Sequence, residues 1–229
     1  MPAVRAASLV LLLLLPAVLV AQESTPPALF GRIEGDSYVS PTGVFRVLMP
    51  VLPELGGEIR DTEYIVTFDD PVSTHISIAC FPMDNVQKWE YETRTVQEYL
   101  EYFYANFVLT DFHRRFPGTQ TEAAQFIPAL LNGALAIYNL LPGGSFFENR
   151  NRIVDSPATA AAKRGSLLFV RDRHVLVLSL ELAEHVTQAR AFQKTAAQEN
   201  DILRGRLIEL AGRVQFPAAG LSKKILTPR

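Results

Sequence analysis

Two nearly unbroken apolar runs, Leu167 to Val170 and Val175 to Leu182, flank the polar tetrapeptide Arg171-Asp172-Arg173-His174. A strand with one face in water alternates apolar and polar side chains. A run that is apolar at nearly every position is covered on both faces, so these two predict central strands. The segments around them specify the class of fold. Ser37 to Ser40 and Val44 to Met49 read as a hairpin around Pro41-Thr42-Gly43, and Thr62 to Phe68 and Ser73 to Phe81 as strands separated by Asp69-Asp70-Pro71. Gln125 to Leu131 and Ala134 to Leu141 read as two more strands around Asn132-Gly133, a strong hairpin signal. Runs of strands without regular strand–helix alternation specify an α+β fold with an antiparallel sheet, not a doubly wound parallel one.

The helices carry signals of their own. Thr95-Val96-Gln97-Glu98 has the form of a capping box, and Val96, Leu100, Phe103 and Phe107 recur behind it at helical spacing. Val186 to Gln198 and Asp201 to Val214 read as further helices; Leu203, Leu207, Leu210, Ala211 and Val214 form the apolar face of the second, despite Gly205. Ile76, Ile78, Phe103, Phe107, Leu168, Val177 and Leu207 are expected in the core.

Composition removes several function classes. In 229 residues there are 22 Lys plus Arg, 24 Asp plus Glu and 48 % apolar side chains, with a formal net charge of −2. A disordered chain needs far fewer apolar groups, and a polybasic nucleic-acid binder needs an excess of cations. The single cysteine, Cys80, excludes an intramolecular disulfide and any multi-thiolate zinc site. Residues 1–21 read as a secretory signal: Arg5, an apolar stretch from Leu9 to Val20, Pro16, and the small Ala21 before Gln22. A core of that length is too short for a spanning helix, so no transmembrane span is expected after processing. The expected division is a signal peptide at 1–21, an extended leader at 22–36 with Pro26-Pro27, one α+β domain at 37–216 and a loose tail at 217–229.

Ser40-Pro41-Thr42-Gly43-Val44-Phe45-Arg46-Val47-Leu48-Met49-Pro50 resembles the opening hairpin of PsbP-like and DcrB-like proteins. Asn132-Gly133-Ala134, the Arg164 to Leu182 hairpin and a C-terminal amphipathic helix ending in Arg213-Val214-Gln215-Phe216 are similar to later parts of that family. The resemblance implies an antiparallel sheet sandwiched by helices, an α/β/α sandwich. It also implies export and a non-catalytic accessory role. No functional site of the family has a counterpart here.

Candidate chemistry is sparse. Cys80 and His75 stand at an odd offset along one strand and so fall on opposite faces, which leaves Cys80 a small buried apolar group. Glu181, Glu184 and His185 lack the two histidines that a catalytic zinc site uses, and no metal or other cofactor is expected. Arg114 and Arg115, at the end of the first helix, complement its dipole or grip an anion. Pro142-Gly143-Gly144-Ser145 is a turn or an anion-binding nest helped by Arg150 and Arg152. The Glu148 to Lys163 stretch reads as a surface loop, more mobile than the strands beside it, in which Arg150, Arg152 and the adjacent Arg164 would meet an acidic partner or ligand. No nucleophile elbow, zinc-protease helix or dinucleotide fingerprint occurs. The leading reading is an exported, non-catalytic accessory or interaction protein of the cell envelope, periplasmic or secreted, acting on an unknown protein partner. The alternative is a small-molecule or anion binder with a pocket near residues 142–173, and a hydrolase comes third.

Export gives a mature chain beginning at Gln22. Intact-mass spectrometry of the natively produced protein is expected to show loss of residues 1–21; a mature chain retaining Leu11 to Leu15 would overturn this.

Overall fold

The computed structural model describes residues 28–147, 161–188 and 191–217. The signal segment, most of the leader, Arg150 and Arg152, most of the Glu148–Lys163 stretch and the tail from residue 218 lie outside the described residues. Strands β1 (Arg32–Glu34), β2 (Ser37–Val39) and β3 (Arg46–Leu48) form a small antiparallel sheet that is closed by β11 (Val214–Gln215). The 37–49 hairpin is thus present, with the Gly43 amide donating to the Ser40 carbonyl in its turn. The end of the expected leader folds back as β1.

The main sheet contains β4 (Glu58–Asp61), β5 (Ile65–Asp69), β6 (His75–Pro82), β7 (Gln120–Ile127), β8 (Ala134–Pro142), β9 (Ala161–Arg171) and β10 (His174–Glu181). Their order is β4-β5-β6-β10-β9-β8-β7, and every neighbouring pair is antiparallel. The turn between β9 and β10 holds just Asp172 and Arg173, with φ of 45° and 61°, the left-handed pair of a tight hairpin turn. It places Arg171 opposite His174 and thereby sets the whole register. Val175 through Leu180 are all buried, as expected for a strand covered on both faces.

Helix α5 (Ala196–Arg213) covers one face. Its Leu203, Leu207, Leu210 and Ala211 pack with Leu167, Phe169, Leu176 and Leu178 of the sheet. Gly165 permits this approach: a Cβ there would lie 3.1 Å from Leu207 Cδ1 and 3.2 Å from Leu203 Cβ. On the other face lie α1 (Asn85–Thr93), α2 (Val96–Phe103) and α3 (Leu109–Arg115), the last two joined by a π turn over Tyr104–Val108. The expected capping box opens α2: Glu98 N–H donates to Thr95 Oγ1 at 3.3 Å and Thr95 N–H donates to Glu98 Oε2 at 2.9 Å. The result is an antiparallel sheet between helical layers, an α+β sandwich. Among the described residues, no helix is long and apolar enough to cross a membrane.

Several expectations are corrected. Strand β7 ends at Ile127, not Leu131, because Pro128 has no amide to give to the ladder. The helix expected over 186–198 is instead the short α4 (Ala183–Thr187), and Thr195 caps a new helix that begins at Ala196. Residues 161–163 belong to β9, not to a surface loop, and Arg164 follows them in the same strand. Ile76 is half-buried, because it lines a surface cleft beside Leu180 and Leu210. Phe107 is 44 % exposed, because the π turn advances the helix phase and turns the fourth residue of the stripe away from the sheet.

Leu207 is 1 % exposed at the centre of the α5 contact. Leu207→Ala is expected to cost about 2–5 kcal/mol in a urea titration, with an unchanged m-value; a loss below about 1 kcal/mol would contradict this packing.

Candidate functional site

Strand periodicity sends Ser77, Ala79 and Phe81 of β6, Val175, Val177 and Ser179 of β10, and Arg164 and Ser166 of β9 to the face opposite α5. The register aligns them in lateral rows: Ile65 beside Ala79 beside Val177, and Ser77 beside Ser179 beside Ser166. Over these rows, between the sheet and the α2–α3 layer, lies a cavity of about 470 Å³. Its floor is Ser77, Ala79, Val175, Val177, Ser179 and Arg164; Phe103, Phe107 and Phe112 form a wall, with Ile65 and Arg115 at the rim. The π turn builds the aromatic wall: Phe107 stacks on Phe103 with ring centroids 4.9 Å apart and still reaches the opening. Floor hydroxyls are unusual on an otherwise apolar sheet face, and Ser166 and Ser179 satisfy one another at 2.8 Å.

Charged side chains border the apolar floor on the same face. Arg164 has a side chain only 12 % exposed, and its Nη2 lies 3.5 Å from Glu181 Oε2. Glu181 is committed elsewhere as well: its Oε1 accepts from the Ser145 hydroxyl at 2.5 Å and its Oε2 from the Phe146 amide at 3.1 Å. Arg164 Nε is buried and has no hydrogen-bond partner among the described residues. Burial pulls the Arg164 guanidinium below its ordinary pKa, and the charge and hydrogen bonding of Glu181, with the charge of Asp69, oppose that pull. On the neighbouring strand, Asn139 stands opposite Arg164, and its carbonyl accepts from the Tyr104 hydroxyl of the π turn at 2.7 Å. This ties the π turn to the sheet. At the far side, His75 Nδ1 lies 2.5 Å from the buried Asp69 carboxylate, which also pairs with Arg60; the His75 ring stacks on Phe146 at 4.8 Å.

The structure sorts the candidate residues. Arg115 and Arg164, 49 positions apart in the chain, line one cavity. Arg114 stays on the surface, paired with Asp111 at 2.5 Å. Arg150 and Arg152 lie outside the described residues. The Pro142–Ser145 segment is a turn, with the Gly144 amide donating to the Leu141 carbonyl, and its Ser145 hydroxyl takes Glu181 as an internal anion. Cys80 and His75 do lie on opposite faces: Cys80 packs in the α5-side core, where burial raises its thiol pKa to about 12. Glu181, Glu184 and His185 diverge to Arg164, Arg206 and Glu199 respectively. Sequence reasoning missed Glu181 as the partner of Arg164, and Ser77 and Ser179 as lining the same cavity. Part of the signal was there: a two-residue turn after Arg171 puts Glu181 opposite Arg164 and Ser179 opposite Ser166, whereas Ser77 arrives through the pairing of β6 with β10.

No family model matches the chain, and no curated protein matches it with significance. Among solved structures, it is similar to a PsbP protein of the cyanobacterium Synechocystis, with 10 % identity and a TM-score of 0.48 over 84 % of this chain and 99 % of that one. It is also similar to the Ran-binding protein Mog1p of Saccharomyces cerevisiae, with 7 % identity and a TM-score of 0.45 over 82 % and 96 % of the two chains. A PsbP structure stands among these, whereas a DcrB-like relation is not shown. At such identities and scores the likenesses say nothing of what this chain binds.

Burial pushes the Asp69 carboxyl up, but hydrogen bonds and charge from His75 and Arg60 outweigh it and hold the group below its ordinary range. A carboxyl depressed in the folded state stabilises above its unfolded pKa of about 4, and that contribution is lost as pH falls through the folded value. Urea midpoints from pH 6 to pH 2.5 are expected to fall less steeply in Asp69→Asn than in the wild type. Parallel acid slopes would contradict the assignment.

Proposed function

We propose that the protein is an exported, non-catalytic binding protein that holds a small apolar ligand between its sheet and the π-turned helix. The cavity carries this reading. Its volume of about 470 Å³ falls within the roughly 300–1,000 Å³ of small-molecule sites, and it joins an aromatic wall to a few convergent polar groups, as such sites do. Of the sequence readings, this favours the small-molecule alternative; the pocket shares Arg164 with the 142–173 region but is built mainly on β6, β10 and α2–α3. Export rests on the signal-like segment at residues 1–21. A carrier of this kind acts as an accessory component: it offers its ligand to a protein partner of the envelope without transforming it. The Asp69–His75 pair orients an imidazole, as hydrolases do. Among the described residues, however, no hydroxyl or thiol is hydrogen-bonded to that ring, so the pair is read as a structural lock on β5 and β6.

The test is titration with the uncharged fluorophore N-phenyl-1-naphthylamine. Saturable, single-site binding is expected. Phe107→Ala, which removes an exposed part of the wall, is expected to weaken it about 3–10-fold, and Ile65→Trp to obstruct the rim and weaken it further. Absence of saturable binding, or equal affinity in both variants and the wild type, would overturn the proposal.

A further inference from the structure

We infer that the cavity takes an amphipathic monoanion, an alkyl or aryl carboxylate whose apolar body fills the aromatic chamber and whose carboxylate meets Arg164 and the hydroxyls of Ser77 and Ser179. This rests on the binding reading above and names its ligand class. A guanidinium presents five donors and can grip a carboxylate through two of them at once. Arg164 spends part of that capacity on Glu181 and leaves at least one donor over. Its closest approach to Glu181 is 3.5 Å, and both Glu181 oxygens also accept from Ser145 and Phe146. Its Nε has no partner among the described residues although it is buried. A buried cation with a spare donor on the floor of an apolar chamber is an anion site with a hydrophobic approach.

The surrounding charges set the valence. Of the two acids along the cavity, Asp111 is held by Arg114 and Arg115 at 2.5 and 2.8 Å. The other, Asp84, caps α1 by accepting from the Gln87 amide at 2.8 Å. Neither takes Arg164, and both oppose a second negative charge towards the rim. A monoanion therefore fits better than a phosphate dianion. A neutral ligand of the same shape would fill the apolar space but leave the guanidinium donor unpaired, and a cationic one would be repelled by it.

The test is displacement of bound N-phenyl-1-naphthylamine at pH 7.5 by decanoate, decanamide and decylamine, three ligands of one shape and three charges. Wild-type protein is expected to bind decanoate at least tenfold more tightly than decanamide, with decylamine weakest. Ser77→Ala is expected to narrow the decanoate preference several-fold. Removing both members of the buried pair, Arg164→Gln with Glu181→Gln, avoids leaving Glu181 charged and alone and is expected to bring the ratio close to one. Circular dichroism establishes that each variant is folded. Equal affinity for decanoate and decanamide in the wild type would overturn the inference while leaving apolar binding intact. Loss of the preference in Arg115→Ala, with the preference intact in Ser77→Ala, would also overturn it, by placing the carboxylate at the rim. Failure of the fluorophore itself to bind would overturn both readings.

Discussion

Strand β9 carries two adjacent cations into the middle of a sheet, and the rest of the structure is arranged around them. Successive strand residues point to opposite faces, so Lys163 enters the α5 side and Arg164 the α2–α3 side. Lys163 is fully buried, paired with Glu122 of β7 and 3.8 Å from Glu199 of α5, which also holds His185 at 2.7 Å. Arg164 meets Glu181 of β10. Burial lowers the pKa of the Lys163 ammonium, and the charge and hydrogen bonding of Glu199 resist the shift. A buried charge deprived of its partner costs several kcal/mol. A one-residue slip of β9 would exchange the faces of both cations and separate each from its carboxylates. The pairs therefore lock β9 to β7, β10 and α5 at once, beyond what apolar packing alone specifies.

The two pairs differ in what they face, and that difference separates structure from function. Lys163 lies between two carboxylates on the α5 side, although its Nζ, like Arg164 Nε, has no hydrogen-bond partner among the described residues. Arg164 shares its one carboxylate with the Ser145–Phe146 segment and faces a chamber. Proteins break local rules of polar satisfaction chiefly at functional sites, and one of the under-satisfied groups here, Arg164 Nε, lies where the π turn opens the helical layer. A regular α-helix would have packed Phe107 down onto the sheet. The extra residue in the turn lifts it to the rim and leaves room beneath.

Much of this was legible in the residues. The apolar runs fixed β9 and β10 as central strands, the Thr95 and Glu98 pair marked the start of α2, and the leucine face of α5 gave the opposite layer. What escaped was what periodicity does not encode. Alanines 161 and 162 carry no β-branched or aromatic signal, so β9 began earlier than its apolar run indicated, and Arg164 read as a surface cation. Helix α1 leaves Val86 and Trp89 exposed at 63 % and 61 %, so it has no buried apolar stripe to announce it. The phase change at Tyr104–Val108 leaves no mark in the spacing of apolar residues. The π turn supplies Phe107 and Val108 to the cavity lining, and the site was visible in the sequence only as separate arginines.

The central claim is that the chamber on the α2–α3 side of the sheet receives the ligand, and methyl-resolved NMR tests it most directly. In a decanoate titration of protein with labelled Ile, Leu and Val methyls, shifts are expected to concentrate at Ile65, Val175 and Val177. Leu203 and Leu207, beneath α5 on the opposite face, are expected to remain still. Shifts of equal size on both faces, or none at the three cavity residues at saturating ligand, would contradict the account.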